Sequence, residues 1–250
     1  MRIAFLLAGQ TRNWNKSFEY YKELDKLCSR SGIQSDFFLS TWDKEGTRAK
    51  DYEGSDPIEI PEGFFKAVSV DTVLDYHPGS SYYMSNRWKR AIEIRQKYET
   101  ENNLTYDLVV LTRPDIVIWE YKYFIDRCLF LGSERGMEWN NPLTILTEVG
   151  STVHFKVYPE DYKQDRFAGR IEYSYFSDDK VIVGHPLAVD TFKGLFEDLI
   201  GQRILPSQHL VIVNHCFKHK LLNSPFFVKE GLGGVFRLNR DCDYPNMNNN

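Results

Sequence analysis

Tyr106-Asp107-Leu108-Val109-Val110-Leu111-Thr112-Arg113-Pro114-Asp115-Ile116-Val117-Ile118 sets a short apolar run against a sudden pair of charges. Leu108 to Leu111 has the pattern of a strand buried on both faces of a sheet. The run stops at Arg113 and Asp115, held around Pro114. The proline fixes its own φ and pushes Arg113 into extended geometry, so the two charges stand in a set relative position. Either charge is costly to bury without a partner. In open α/β sheets, ligands gather at the carboxyl ends of parallel strands. The unit therefore reads in one of two ways. In the first, Asp115 holds a divalent cation that bridges a diphosphate and Arg113 binds that diphosphate directly. In the second, Arg113 and Asp115 pair with each other and cap the strand.

Working outward, Ile3 to Ala8 predicts a first strand and Gly9-Gln10-Thr11-Arg12-Asn13 a turn. Trp14, Phe18, Tyr21, Leu24 and Cys28 then recur at helical spacing, predicting a helix from 14 to 30. Residues 35–43 read as a second strand with a polar exit, which completes a βαβ unit. Residues 44–62 read as a charged surface loop, 67–73 as a short strand, and 80–100 as a helix feeding the strand at 106–112. Residues 120–175 read as irregular, with strand-like pieces near 143–147 and 152–157. Val181 to Gly184 predicts another buried strand, and Pro186 a helix start where its missing N–H costs nothing. A last helix is expected over 207–222. The fold class is α/β: one Rossmann-type domain over residues 1–240 with a mostly parallel central sheet flanked by helices, followed by a disordered tail over 241–250.

If the first, second and fourth strands run parallel, their exits share one edge. Ala8, Gly9, Thr11 and Arg12 lie after the first, Thr41, Trp42 and Asp43 after the second, and Arg113 and Asp115 after the fourth. The first turn leads into a helix N-terminus, where free N–H groups attract phosphate, and Arg12 adds a guanidinium fork. It lacks the full GxGxxG and GxxxxGK[ST] patterns, and an ordinary βα turn is the alternative. On the helix over 80–100, Asn86 and Arg90 share a face at i, i+4; they serve either as donors to a ligand or as part of a solvated basic face. Asp178 and Asp179 precede the strand at 181–184. One of them is placed to act as a base, with a charged turn as the alternative. His215 and His219, also at i, i+4, can ligate a metal, although no HExxH glutamate accompanies them. Trp42 is a candidate ring platform.

The net charge of −4 argues against a general nucleic-acid binder. Cys28, Cys128, Cys216 and Cys242 show no CxxC spacing, so reduced thiols in a cytoplasmic protein are expected. The apolar stretch at 3–8 is too short for a signal peptide or a membrane span. Aromatic content of 15% suits core packing and, equally, a surface on which sugar rings rest.

Four segments together resemble a group of glycosyltransferases with a GT-A-type fold, found in bacterial surface-polysaccharide clusters and in large viruses and phages. Ile3 to Arg12 is similar to their opening strand and its Gly-x-x-Arg turn. Asp36 to Asp43 is similar to their second strand, Tyr106 to Ile118 to their strand ending in an Arg/Asp motif, and Ser177 to Gly184 to their Asp-Gln-Phe strand. The resemblance implies a UDP- or GDP-sugar donor, a glycan or other hydroxyl acceptor, and Mn²⁺ or Mg²⁺. It places the metal-binding carboxylate at Asp115, while Arg113 stands where the first Asp of the usual Asp-x-Asp motif is found. A non-catalytic nucleotide-sugar or glycan-binding protein on the same fold is the alternative. Asp43 also keeps open another α/β nucleotide enzyme, such as a methyltransferase.

Overall fold

The computed structural model describes residues 1–11, 14–44, 57–72, 80–118, 121–131, 144–149, 177–199, 212, 215–216, 218–219, 221–225 and 236–238. The chain opens with β1 (Arg2–Ala8), α1 (Trp14–Arg30), β2 (Gln34–Trp42) and β3 (Phe65–Asp71). It continues with α2 (Ser80–Asn102), β4 (Leu108–Thr112), β5 (Ile116–Ile118) and α3 (Tyr121–Leu131). Next come β6 (Thr144–Val149) and β7 (Ser177–Gly184). A broken helix, α4, then combines Pro186–Val189, a 3-10 turn over Asp190–Gly194, and Leu195–Leu199. β8 (Leu222–Pro225) and β9 (Phe236–Leu238) complete the described elements.

The main sheet has the order β3-β2-β1-β4-β7-β6-β8. β3, β2, β1 and β4 are mutually parallel, β7 runs antiparallel to both of its neighbours, and β6 pairs parallel with β8. The molecule is thus α/β with a mostly parallel sheet, as the apolar strands predict. Alternation along β1 shows why those strands lack polar residues. Ile3, Phe5 and Leu7 pack with α1, β5 and α3 on one face, while Ala4, Leu6 and Ala8 pack with α2 and α4 on the other. Both faces are covered, so both side-chain sets must be apolar.

The helix predicted over 14–30 forms with those bounds, and Tyr20, Tyr21, Leu24 and Cys28 are buried along it. Two expectations differ from what forms, and one pairing was not foreseen. Tyr121–Leu131 is a helix rather than irregular chain, with Tyr121, Phe124, Ile125 and Cys128 buried at i, i+3, i+4 and i+7. Ile116–Ile118 leaves the main sheet and pairs antiparallel with Phe236–Leu238 in a sheet of its own. The last helix stops short of 222, where β8 begins. The strand-like piece at 152–157 and the tail over 241–250 lie outside the described residues. No described helix is long and apolar enough to cross a membrane.

Candidate functional site at the carboxyl edge of the sheet

The parallel run of β1, β2, β3 and β4 brings their exits to one edge: Ala8 and Gly9, Thr41 to Asp43, Asp71, and Arg113. Antiparallel β7 enters the sheet at that same edge. Thr112 pairs with Val181, so the backbone of Asp178 and Asp179 extends past the end of β4. Arg12 lies outside the described residues.

Gly9 is what joins the first turn to the Arg-Pro-Asp unit. Its φ of +138° is a conformation L side chains rarely adopt, and its N–H donates to the Ser40 carbonyl at 3.0 Å. A Cβ at this position would stand 3.7 Å from Pro114 Cδ and 3.8 Å from Arg113 Cγ, ordinary contact distances. The backbone conformation, not crowding, therefore demands glycine here.

Arg113 and Asp115 form a bidentate pair. Arg113 Nε donates to Asp115 Oδ1 at 2.9 Å, and its Nη2 donates to Oδ2 at 2.7 Å. Asp115 is 1% exposed, while the Arg113 side chain keeps 21% of its surface in solvent. Backbone carbonyls of the turn are fixed from α1. The Tyr21 hydroxyl donates to Ile116 O at 2.7 Å and to Arg113 O at 3.1 Å, and the Tyr20 hydroxyl donates to Ile118 O at 2.5 Å. Both carboxylate oxygens accept from the guanidinium, so of the two sequence readings the ion pair is seen to form.

The β2 exit is gripped from α2 by a residue the spacing argument passed over. Arg87, fully buried, donates from Nη1 to the Thr41 carbonyl at 2.9 Å and pairs through Nη2 with Asp71. Burial pulls its pKa below the usual guanidinium range, and the Asp71 carboxylate opposes that shift. Its guanidinium also lies over Trp42, 5.1 Å from the ring, and Tyr83 meets the same indole edge-on. Trp42 is only 8% exposed, so it is a packed residue rather than a sugar platform. Arg90, by contrast, points to solvent and pairs with Glu93 at 3.2 Å, and Asn86 is half-buried. The pattern Arg87, Ala91, Arg95 at i, i+4, i+8 carried the signal for the inward cations.

Several buried polar atoms on both faces of the sheet near this edge have no hydrogen-bond partner among the described residues. Thr11 Oγ1, Ser40 Oγ, Thr41 Oγ1, Asp43 Oδ1 and Arg87 Nε are buried and accept or donate no hydrogen bond among the described residues. Asp43 does accept from the Thr72 hydroxyl at 3.3 Å through its other oxygen, and its backbone bridges Asp71 and Ile58. Buried polar groups are nearly always satisfied, so such a concentration requires explanation. Hydroxyls, a carboxylate oxygen and a guanidinium N–H together can hold a polyhydroxylated or anionic ligand. Ser40 was not foreseen, yet a lone serine in the apolar run Phe37 to Thr41 is itself an anomaly for a buried strand.

No protein-family model and no curated protein sequence matches the chain. Among solved structures, one similar fold is a glycosyltransferase involved in the glycosylation of the major capsid of PBCV-1. It is 11% identical with a TM-score of 0.43, over 88% of this chain and 78% of that one. Another is the catalytic domain of Drosophila beta1,4-galactosyltransferase 7 in complex with xylobiose, 10% identical with a TM-score of 0.47, over 94% of this chain and 69% of that one. A point mutant of that enzyme, in complex with manganese, UDP-Gal and xylobiose, scores 0.45 at 10% identity over the same shares. These structural neighbours are glycosyltransferases, and likeness at that level assigns no role to any individual residue of this chain.

Proposed function

We propose that this protein is a glycosyltransferase that moves a sugar from a UDP- or GDP-sugar to a hydroxyl of a glycan acceptor. The observation that carries the reading is the group of unpartnered buried polar atoms from Thr11, Ser40, Thr41, Asp43 and Arg87 at the carboxyl edge. The four segments that resemble glycosyltransferases supply the turn, strand exits and strand entry of that same edge, which supports the assignment. The nucleoside belongs over the β1 exit, beside Ala8, Gly9 and Thr11, with Thr41 and Asp43 as hydrogen-bonding partners. The diphosphate belongs near Arg113 and Arg12. Asn86 and Arg90 were expected on the sugar; the inward Arg87 replaces Arg90 in the proposal, since it fixes the β2 exit.

In the reaction, the anomeric carbon exchanges its bond to the diphosphate oxygen for one to the acceptor oxygen. The nucleoside diphosphate leaves with the bonding electrons, and the acceptor proton passes to the carboxylate of Asp178 or Asp179. Developing charge on the leaving group needs fixed positive charge, usually the largest contribution to such catalysis. Arg113, held by Asp115, is the described cation suited to that task. Because Asp115 is committed to Arg113, no step is routed through a metal at that residue. The same commitment favours, as a second reading, a protein that binds nucleotide sugars without turning them over.

Calorimetry with UDP- and GDP-sugars, with and without Mn²⁺, followed by a product assay across hydroxyl acceptors, tests both readings. Binding that weakens in Thr41→Val, with turnover that fails in one of Asp178→Asn or Asp179→Asn, is the expected result. Binding without turnover in the wild type favours the second reading, and absence of binding to either donor class removes both.

A further inference from the structure

On the opposite face of the sheet from the Arg113–Asp115 turn, α4, Ile212 and Cys216 pack into the core formed with α2. There Asp198, His215 and His219 each present a ligand atom, all within 4.8 Å of one another. His215 is 2% exposed and sits against the Phe192 ring at 4.5 Å and the His219 ring at 4.2 Å.

Hydrogen bonding orients the His215 ring. The Thr191 hydroxyl donates to the Ala188 carbonyl at 2.7 Å, and its oxygen lies 3.2 Å from His215 Nε2. The other ring nitrogen, Nδ1, is buried, has no hydrogen-bond partner among the described residues, and is aimed at Asp198 Oδ2 at 4.0 Å, beyond hydrogen-bond reach. A divalent ion bound between these ligand atoms gives Nδ1 its partner. Tetrahedral zinc with bonds of about 2.0–2.1 Å sets its ligand atoms roughly 3.3 Å apart, so closing the cluster asks only for small movements of Asp198 and His219, both partly exposed. Lys218 Nζ pairs with Asp198 Oδ1 at 2.5 Å and so holds the carboxylate beside the two imidazoles.

We propose that Asp198, His215 and His219 form a binding site for a borderline divalent transition metal, zinc foremost, that ties the turn bearing His215 and His219 to α4. Two imidazoles and one carboxylate select such an ion over magnesium or calcium, which prefer all-oxygen shells. Thr191 orients His215 in the manner of the outer partners that fix a ligating imidazole. The site does not depend on the transferase reading.

Zinc titration of the full chain, by calorimetry and by competition with a chromophoric chelator, tests the proposal. The wild type is expected to take up one ion per chain and to melt at a higher temperature with zinc but not with magnesium. His219→Gln and Asp198→Asn, both at partly exposed positions, are expected to fold and to lose that ion. Thr191→Val is expected to weaken binding by about 10–100-fold. Failure of the folded wild type to bind zinc, or equal binding by the wild type and both ligand variants, overturns the proposal.

Discussion

Asp115 contributes to stability through its bidentate pairing with Arg113. Both of its oxygens accept from that guanidinium in a site with almost no solvent. Asp115→Asn replaces one acceptor oxygen by an amide that cannot accept, and leaves a cation with half its fork unmet. Arg113 is one-fifth exposed, so water relieves part of the loss. A destabilisation of about 1.5–3 kcal/mol is expected, the range for hydrogen bonds to charged groups. It should appear as a lowered urea midpoint at unchanged slope. A midpoint within error of wild type would mean the pair contributes little and Asp115 is free for other chemistry. The sequence made the Arg-Pro-Asp unit visible because proline restricts its neighbours whatever the fold. It left the choice between ion pair and metal ligand open, because that choice depends on which carboxylate oxygens the turn leaves uncovered. Arg90 illustrates a related gap. Spacing shows which residues share a helix face, and the packing of α2 decides that Arg87 rather than Arg90 turns inward.

At the scale of elements, α2 is anchored to α4 by a buried cation. Arg95 is fully buried, pairs with Glu99 at 3.0 Å one turn away, and also pairs with Asp190 across the interface. Asp190 in turn accepts from Gln96 at 2.9 Å. Burial raises Glu99 above the usual carboxylate range, and Arg95 opposes that shift. Removing the cation alone leaves two carboxylates facing each other in partial burial. Arg95→Met is therefore expected to cost about 3 kcal/mol, the low end for breaking a buried pair by deleting one partner. Arg95→Met with Asp190→Asn should be no worse than the single variant, because the second change removes the repulsion the first exposes. Additive losses in this double-mutant cycle would show that the two residues act independently. Elements with strong periodicity were legible: α1 was read to its observed bounds, and β1, β2 and β4 announced their burial on both faces. α3 was overlooked although Tyr121, Phe124, Ile125 and Cys128 hold helical spacing, because the surrounding sequence through 175 offers no regular pattern. The pairing of Ile116–Ile118 with Phe236–Leu238 joins strands far apart in sequence, and nothing local encodes it.

Across the whole molecule, the two faces of the sheet carry their own reporters of cooperativity. Cys28 on α1 and Cys128 on α3 lie in one core, and Cys216 lies in the other. Burial pushes Cys28 and Cys216 up to about 12 and Cys128 well above its ordinary value. Thiolate is the reacting species, so at pH 8 none of the three should react while the fold is closed. One cooperative domain over 1–240, the organisation expected from sequence, requires both cores to open together, since every strand of the parallel half contributes side chains to each. Labelling with a thiol reagent across a urea series, read out by peptide mapping to set Cys242 apart, should then give Cys28, Cys128 and Cys216 a single shared transition. Cys216 reacting at lower urea than the other two would mean that the α2–α4 layer opens on its own, as a separate unit of lower stability. Zinc supplies an independent check on that layer. If Asp198, His215 and His219 hold an ion, adding zinc should delay labelling of Cys216, which directly follows His215, and should move Cys28 and Cys128 equally only if the two faces are coupled through the sheet.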